Sequence, residues 1–134
     1  MKKAIILFIS VVYLSVSSIL VQASEPVLKK AYATAYCQTG QTSSGSYTRD
    51  GICAGAKEYS GCMIVVYKRL PDGSIGEYIG TYECLDTGGT KGLKSGTVVD
   101  IWKPDLNACQ SFMDQVYEDG CQGKVYIQII EAKG

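Results

Sequence analysis

The sequence predicts a mainly β fold, a small barrel with one short helix, and three observations carry that expectation. Short apolar, β-branched runs recur along the chain, Gly-rich connections separate them, and one segment alone has helical periodicity. With 134 residues, 46% of them hydrophobic and 19% charged, the chain suffices for one domain around one core.

The N-terminus reads as an export signal. Met1-Lys2-Lys3 is a positive start, Ala4 to Val21 is an apolar run diluted by serines, and Val21-Gln22-Ala23 offers a small-x-small cleavage pattern. Residues 1–23 are therefore expected to be removed, leaving about 111 residues outside the cytoplasm with no stable membrane insertion. Residues 24–32 read as a polar leader and 33–134 as the folded domain.

Within the domain, Ala31 to Tyr36 alternates small and aromatic residues and predicts a first strand. Gln38 to Gly51, rich in Gly, Ser and Thr, predicts a long loop. Cys62 to Lys68 is a buried strand, and Pro71-Asp72-Gly73 turns it into a hairpin with the strand at Glu77 to Leu85. Thr97 to Trp102 is a further buried strand, and Lys124 to Ile130 closes the chain with strict alternation. The helix starts at Pro104 and Asp105, places Leu106, Cys109, Phe112 or Met113, and Val116 on one face, and stops at Gly120. Ser60 to Lys68 also aligns without a gap on Ser95 to Lys103, a faint repeat that sets Asp100 opposite Val65 and suggests pseudo-two-fold symmetry.

Composition narrows the chemistry. Thirteen basic residues balance thirteen acidic ones, which argues against nucleic acid as a partner. The absence of His removes Ser-His-Asp and Cys-His catalysis and His-ligated metal sites, so neither a metal nor another cofactor is expected. The six cysteines, Cys37, Cys53, Cys62, Cys84, Cys109 and Cys121, form no CxxC pair; in an exported domain they read as disulfides, Cys109 with Cys121 being one expected bond.

Chemistry must therefore rest on carboxylates, Lys, Tyr or Cys, and the carboxylates are the most informative. Asp86 in Cys84-Leu85-Asp86-Thr87-Gly88-Gly89 is followed by Asp100 in Val98-Val99-Asp100-Ile101-Trp102. Alternation places Tyr78, Tyr82, Cys84 and Asp86 on one face of their strand. A carboxyl flanked by Val, Ile and Trp is expected to hold its proton to higher pH, as a general acid at a glycosidic oxygen must. A turn role, bonding its own backbone amides, is the competing explanation for Asp86; a buried, hydrogen-bonded structural acid is the competing explanation for Asp100.

In order along the chain, Thr34-Ala35-Tyr36-Cys37, Ser43-Ser44-Gly45, Gly51-Ile52-Cys53-Ala54, Gly80-Thr81-Tyr82, Asp86-Thr87-Gly88-Gly89 and Val99-Asp100-Ile101-Trp102 resemble the 3D domain. That family is named for three aspartates and is similar to the catalytic barrel of the membrane-bound lytic transglycosylase A family. The resemblance runs from Ala33 to Ile130 and implies a six-stranded double-psi β-barrel that binds peptidoglycan glycan strands. It implies cleavage between N-acetylmuramic acid and N-acetylglucosamine, with Asp100 as general acid and then base and Asp86 as its supporting carboxylate. Thr34, Tyr36, Ser44, Gly88 and Gly89 would line the substrate groove. The sequence departs from the family at the first aspartate, expected near Ala54, and Asp50 is the nearest acid. Three functions therefore stay open: a lytic transglycosylase in the cell wall, a wall-binding module that has lost catalysis, and a secreted effector or inhibitor whose acids are structural.

Overall fold

The computed structural model describes residues 27–88 and 90–131, so the expected export signal and Gly89 lie outside the described residues. The chain is mainly β. Six strands, β1 (Lys29–Tyr36), β2 (Ile52–Gly55), β3 (Met63–Arg69), β4 (Ile75–Thr87), β5 (Val98–Trp102) and β6 (Lys124–Ile130), form one sheet. A single helical turn, α1 (Lys91–Ser95), precedes β5, and the expected helix, α2 (Leu106–Tyr117), follows it. Asp105 caps α2 by accepting a hydrogen bond from the Ala108 amide at 2.8 Å, which satisfies one of the free donors of the first turn.

The sheet closes into a ring in the order β1-β5-β2-β4-β3-β6. β1 pairs with β5, and β2 with β4, in parallel; the remaining pairs are antiparallel. Exchanging β1 with β4, β2 with β5 and β3 with β6 maps this ring onto itself, parallel pairs onto parallel pairs. The symmetry thus relates β5 to β2, not to β3. The alignment of Ser60–Lys68 on Ser95–Lys103 reflects two buried strands of like composition that the ring does not exchange.

Alternation decides what fills the ring. Ala31 and Ala33 of β1, Cys53 of β2, Ile64 and Val66 of β3, Tyr82 and Cys84 of β4, Val99 and Ile101 of β5, and Val125 and Ile127 of β6 join one buried cluster. Phe112 and Val116 of α2 close it where the helix packs on β1, while Leu106 at the start of the helix is exposed.

All six cysteines are free thiols. The expected Cys109–Cys121 bond is not formed: Cys109 instead meets Cys37, just beyond the end of β1, and Cys121 is buried in the turn before β6. A second thiol pair, Cys53 with Cys84, is set by the parallel register of β2 and β4.

Lys68 is the other unusual core group. Its side chain is only 1% exposed, yet its ammonium reaches Glu118 at 3.1 Å, Asp119 at 3.6 Å and Glu77 at 3.8 Å, so the stem is covered and the charge is paired. Burial pulls its pKa down, but the hydrogen bond to Glu118 and the three carboxylates outweigh that and raise it.

Candidate active site

The candidate site is a row of residues across four neighbouring strands. Thr34 on β1 is the register partner of Asp100 on β5, Asp100 of Ala54 on β2, and Ala54 of Asp86 on β4. Asp100 and Asp86 therefore sit two strands apart, about 10 Å between backbones at the usual strand spacing. The ring's two-fold exchanges Asp100 with Ala54 and Thr34 with Asp86, so Ala54 occupies the place symmetric to the main acid.

Asp86 reaches this row through a backbone irregularity that period-two reasoning misses. Cys53 opposes Cys84, but the next residue, Ala54, opposes Asp86, so Leu85 is an extra residue in β4. Such a bulge turns the following side chain to the other face. Cys84 points into the core, whereas Asp86 joins Ala54 and Asp100 on the outer face. A second skip, at Ile79, separates exposed Tyr78 from buried Tyr82. Tyr78, Tyr82, Cys84 and Asp86 consequently do not share one face, and the bulges are the reason.

Each carboxylate has a different set of partners. Asp100 Oδ1 accepts the Thr34 hydroxyl at 2.8 Å, and among the described residues no donor reaches its other oxygen. Burial raises its pKa, the Thr34 hydrogen bond opposes that, and the charge of Asp86 adds to the rise. Asp86 is more fully engaged: Oδ1 accepts the Ser43 amide at 3.1 Å and the Thr87 amide at 3.0 Å, and Oδ2 accepts the Tyr36 hydroxyl at 3.4 Å. Burial and then the charges of Asp86 and Asp100 push the Tyr36 phenol well above its ordinary value, so it stays a neutral donor. Asp86 thus has the backbone-binding role expected of a turn aspartate and also supplies the field that acts on Asp100.

The loop between β1 and β2 is pinned over this face near its start and at its middle. Trp102 donates its indole N–H to the Gln38 carbonyl at 2.8 Å, and Ser43 Oγ accepts the Thr87 amide at 2.9 Å. Ser44, by contrast, directs its hydroxyl to Thr42 and Ser46 within the loop and meets β4 only through its amide on Leu85. Ser43 is therefore the loop residue that contacts Asp86; its place in Ser43-Ser44-Gly45 was the available signal, and the choice between adjacent serines was not resolvable from sequence. Among the described residues Asp86 is the charged group that shifts the Asp100 pKa, and Asp50, Lys91 and Lys94 do not contribute.

Gly88 has a packing role. A Cβ added there would lie 1.9 Å from Leu93 Cδ1 and 2.9 Å from its Cγ. Leu93 of α1 is buried, so the chain after Asp86 crosses directly over it. Gly88→Ala is expected to displace α1 and cost about 1–3 kcal/mol by overpacking, measured as a lowered denaturation midpoint. An unchanged midpoint would mean that Leu93 has room to move.

The chain matches no protein-family model and no curated protein.

Proposed function

We propose that this chain is an exported double-psi β-barrel protein of the three-aspartate type that cleaves peptidoglycan glycan strands by lytic transglycosylation. The observation that carries the reading is Asp100 itself: a half-buried carboxyl with a raised pKa, held at one oxygen by Thr34 and with no donor at the other among the described residues. The two-fold exchange of strands within the closed ring supports the double-psi assignment.

In this mechanism protonated Asp100 gives its proton to the glycosidic oxygen as the bond from that oxygen to the muramic acid C1 breaks. The resulting carboxylate then takes the proton of the same sugar's C6 hydroxyl as that oxygen attacks C1, closing a 1,6-anhydro ring. The substrate supplies the nucleophile, so no second carboxylate is needed to activate water, unlike ordinary glycosidases. Burial first, and the charge of Asp86 in addition, raise the Asp100 pKa against the pull of the Thr34 hydrogen bond, and Asp86 holds Ser43 and Tyr36 at the edge of the site. The same reading places the protein at the cell wall, where the oxidising exterior would let its thiols pair.

The pH dependence tests this chemistry. The acid form of Asp100 persists to higher pH than an ordinary aspartate, so release of soluble fragments from purified sacculi is expected to fall as pH rises through that raised pKa. Asp86→Asn removes the like charge and lets the Asp100 pKa fall, so the declining limb should move to lower pH. A limb that stays in place would remove Asp86 from the account.

One observation favours a second reading. Ala54, the symmetric counterpart of Asp100, carries no acid, which fits a wall-binding module that retains the face without the chemistry. Such a protein would sediment with sacculi at every pH and release nothing.

A further inference from the structure

At the opposite end of β1 from Thr34 the surface opens into a cleft of about 430 Å³, lined by Lys30, Arg69, Asp72, Gln122 and Lys124 with the backbone of two turns. Lys30 and Thr34 are four residues apart, about 13 Å along a strand, so this cleft is separate from the carboxylate row.

Its charge is unbalanced. Among the described residues none of Lys30, Arg69 and Lys124 forms an ion pair. The one acid, Asp72, is committed to its own turn: the Ser74 hydroxyl and amide bond its Oδ1 at 2.6 and 2.9 Å and lower its pKa. Three cations therefore face one engaged carboxylate.

Arg69 is also held ready. Its guanidinium carbon lies 6.0 Å from the Tyr32 ring centre and 5.6 Å from that of Tyr126, a cation–π position on both sides. The β1–β6 register creates this arrangement, since Tyr32 pairs with Lys124 and Lys30 with Tyr126, alternating rings and charges around the arginine. The Tyr126 hydroxyl donates to the Gly73 carbonyl and fixes the turn that forms one wall. One Arg69 nitrogen donates to the Ala31 carbonyl at 3.2 Å, but Nε is buried with no partner. Nε has almost no accessible surface, so a ligand in the cleft would meet the remaining guanidinium hydrogens, and Nε reports on the group from beneath.

We infer that this cleft is a binding site for a phosphate group, with Arg69 as the central donor and Lys30 and Lys124 as flanking charges. A tetrahedral dianion with several acceptor oxygens matches a planar guanidinium flanked by two ammonium groups better than a flat monoanionic carboxylate does. The volume leaves room for the alcohol of a phosphate ester beside the anion itself. The phosphate can come as the free ion or as an ester, and the same donors serve both.

The test is a titration of the mature protein followed by the Arg69 Nε–Hε signal in a nitrogen–proton correlation spectrum. Inorganic phosphate and glycerol 3-phosphate are added in parallel at constant ionic strength, with acetate as the carboxylate comparison. A saturable shift with either phosphate, at least tenfold tighter than with acetate, is expected. The tighter of the two identifies the free ion or the ester as the ligand. Lys30→Gln, at an exposed position, and the double variant Lys30→Gln/Lys124→Gln should weaken binding progressively, the double variant by at least tenfold. A linear shift alike for all three anions, or binding unchanged in both variants, would overturn the site. The measurement contains no glycan, so its outcome is independent of the chemistry assigned to Asp100.

Discussion

Asp100→Asn is expected to lower the release of glycan fragments from sacculi by about 10²–10⁴-fold, the usual contribution of a positioned general acid, while leaving sedimentation with sacculi intact. The substitution is nearly isosteric, and the amide oxygen can still accept the Thr34 hydroxyl that now bonds the carboxylate at 2.8 Å. Loss of activity would therefore report loss of the proton. A second consequence separates the account from a purely structural role. Burial raises the Asp100 pKa, which means that the fold disfavours its ionised form. That penalty is fully present above the folded-state pKa and disappears below the unfolded value, about 3.9 for an aspartate. Asp100→Asn should accordingly be more stable than the parent at neutral pH, with the difference vanishing as pH falls through that range. A variant that is inactive and less stable at neutral pH would instead mark Asp100 as a structural hydrogen-bonding group.

Mild oxidation is expected to join Cys37 to Cys109 and Cys53 to Cys84, each pair losing two hydrogens to a thiol oxidant such as oxidised glutathione. The two cysteines of the first pair are 72 residues apart in sequence but meet where α2 covers the end of β1. Closing so long a loop in the unfolded chain is worth about 4 kcal/mol in the chain-entropy model, a large share of a small domain's stability. Burial raises the Cys109 pKa and Cys37 adds to the rise. In the core the hydrogen bond between Cys53 and Cys84 raises the pKa of the first and lowers that of the second, but both thiols are fully buried, whereas Cys37 and Cys109 are partly exposed to an oxidant. The outer pair should therefore react first, and its formation should raise the denaturant midpoint. Cys37→Ser and Cys109→Ser should each abolish that gain. Peptide mapping that instead linked Cys109 to Cys121 would contradict the arrangement of α2 against β1.

Most of the ring was legible because most of it obeys simple periodicity. The strands at Ala31–Tyr36, Cys62–Lys68, Glu77–Leu85, Thr97–Trp102 and Lys124–Ile130 all occur, with no end shifted by more than two residues. The strand at Ile52–Gly55 was not legible: it has four residues, all buried, and so has no alternation to read. The helix cap at Asp105 was visible, whereas α1 has five residues and too little length for a helical period.

The site divides in the same way. Asp100 stood out because an acid among Val, Ile and Trp contradicts its surroundings, and Asp86 because Asp-Thr-Gly-Gly is unusual. Their relation did not, since it depends on the extra residue at Leu85 and on a parallel pairing between strands distant in sequence. Ala54 was marked in the sequence as the place of a missing acid, but its position between the two acids came only from the register. The apparent repeat shows the opposite error, in which like composition of β3 and β5 imitated a symmetry that the ring places elsewhere.

The central claim is that Asp100 serves one reaction twice, as acid and then as base, with the substrate's own hydroxyl as nucleophile. The most direct measurement is the mass of the muropeptides that the oxidised mature protein releases from purified sacculi at mildly acidic pH. The account predicts products ending in 1,6-anhydromuramic acid, each lighter by one water than its hydrolytic counterpart and resistant to borohydride reduction. Reducible, hydrated ends would show that water is the nucleophile, and an absence of released fragments from a protein that sediments with the sacculi would show that the face binds glycan without cutting it; either result contradicts the claim.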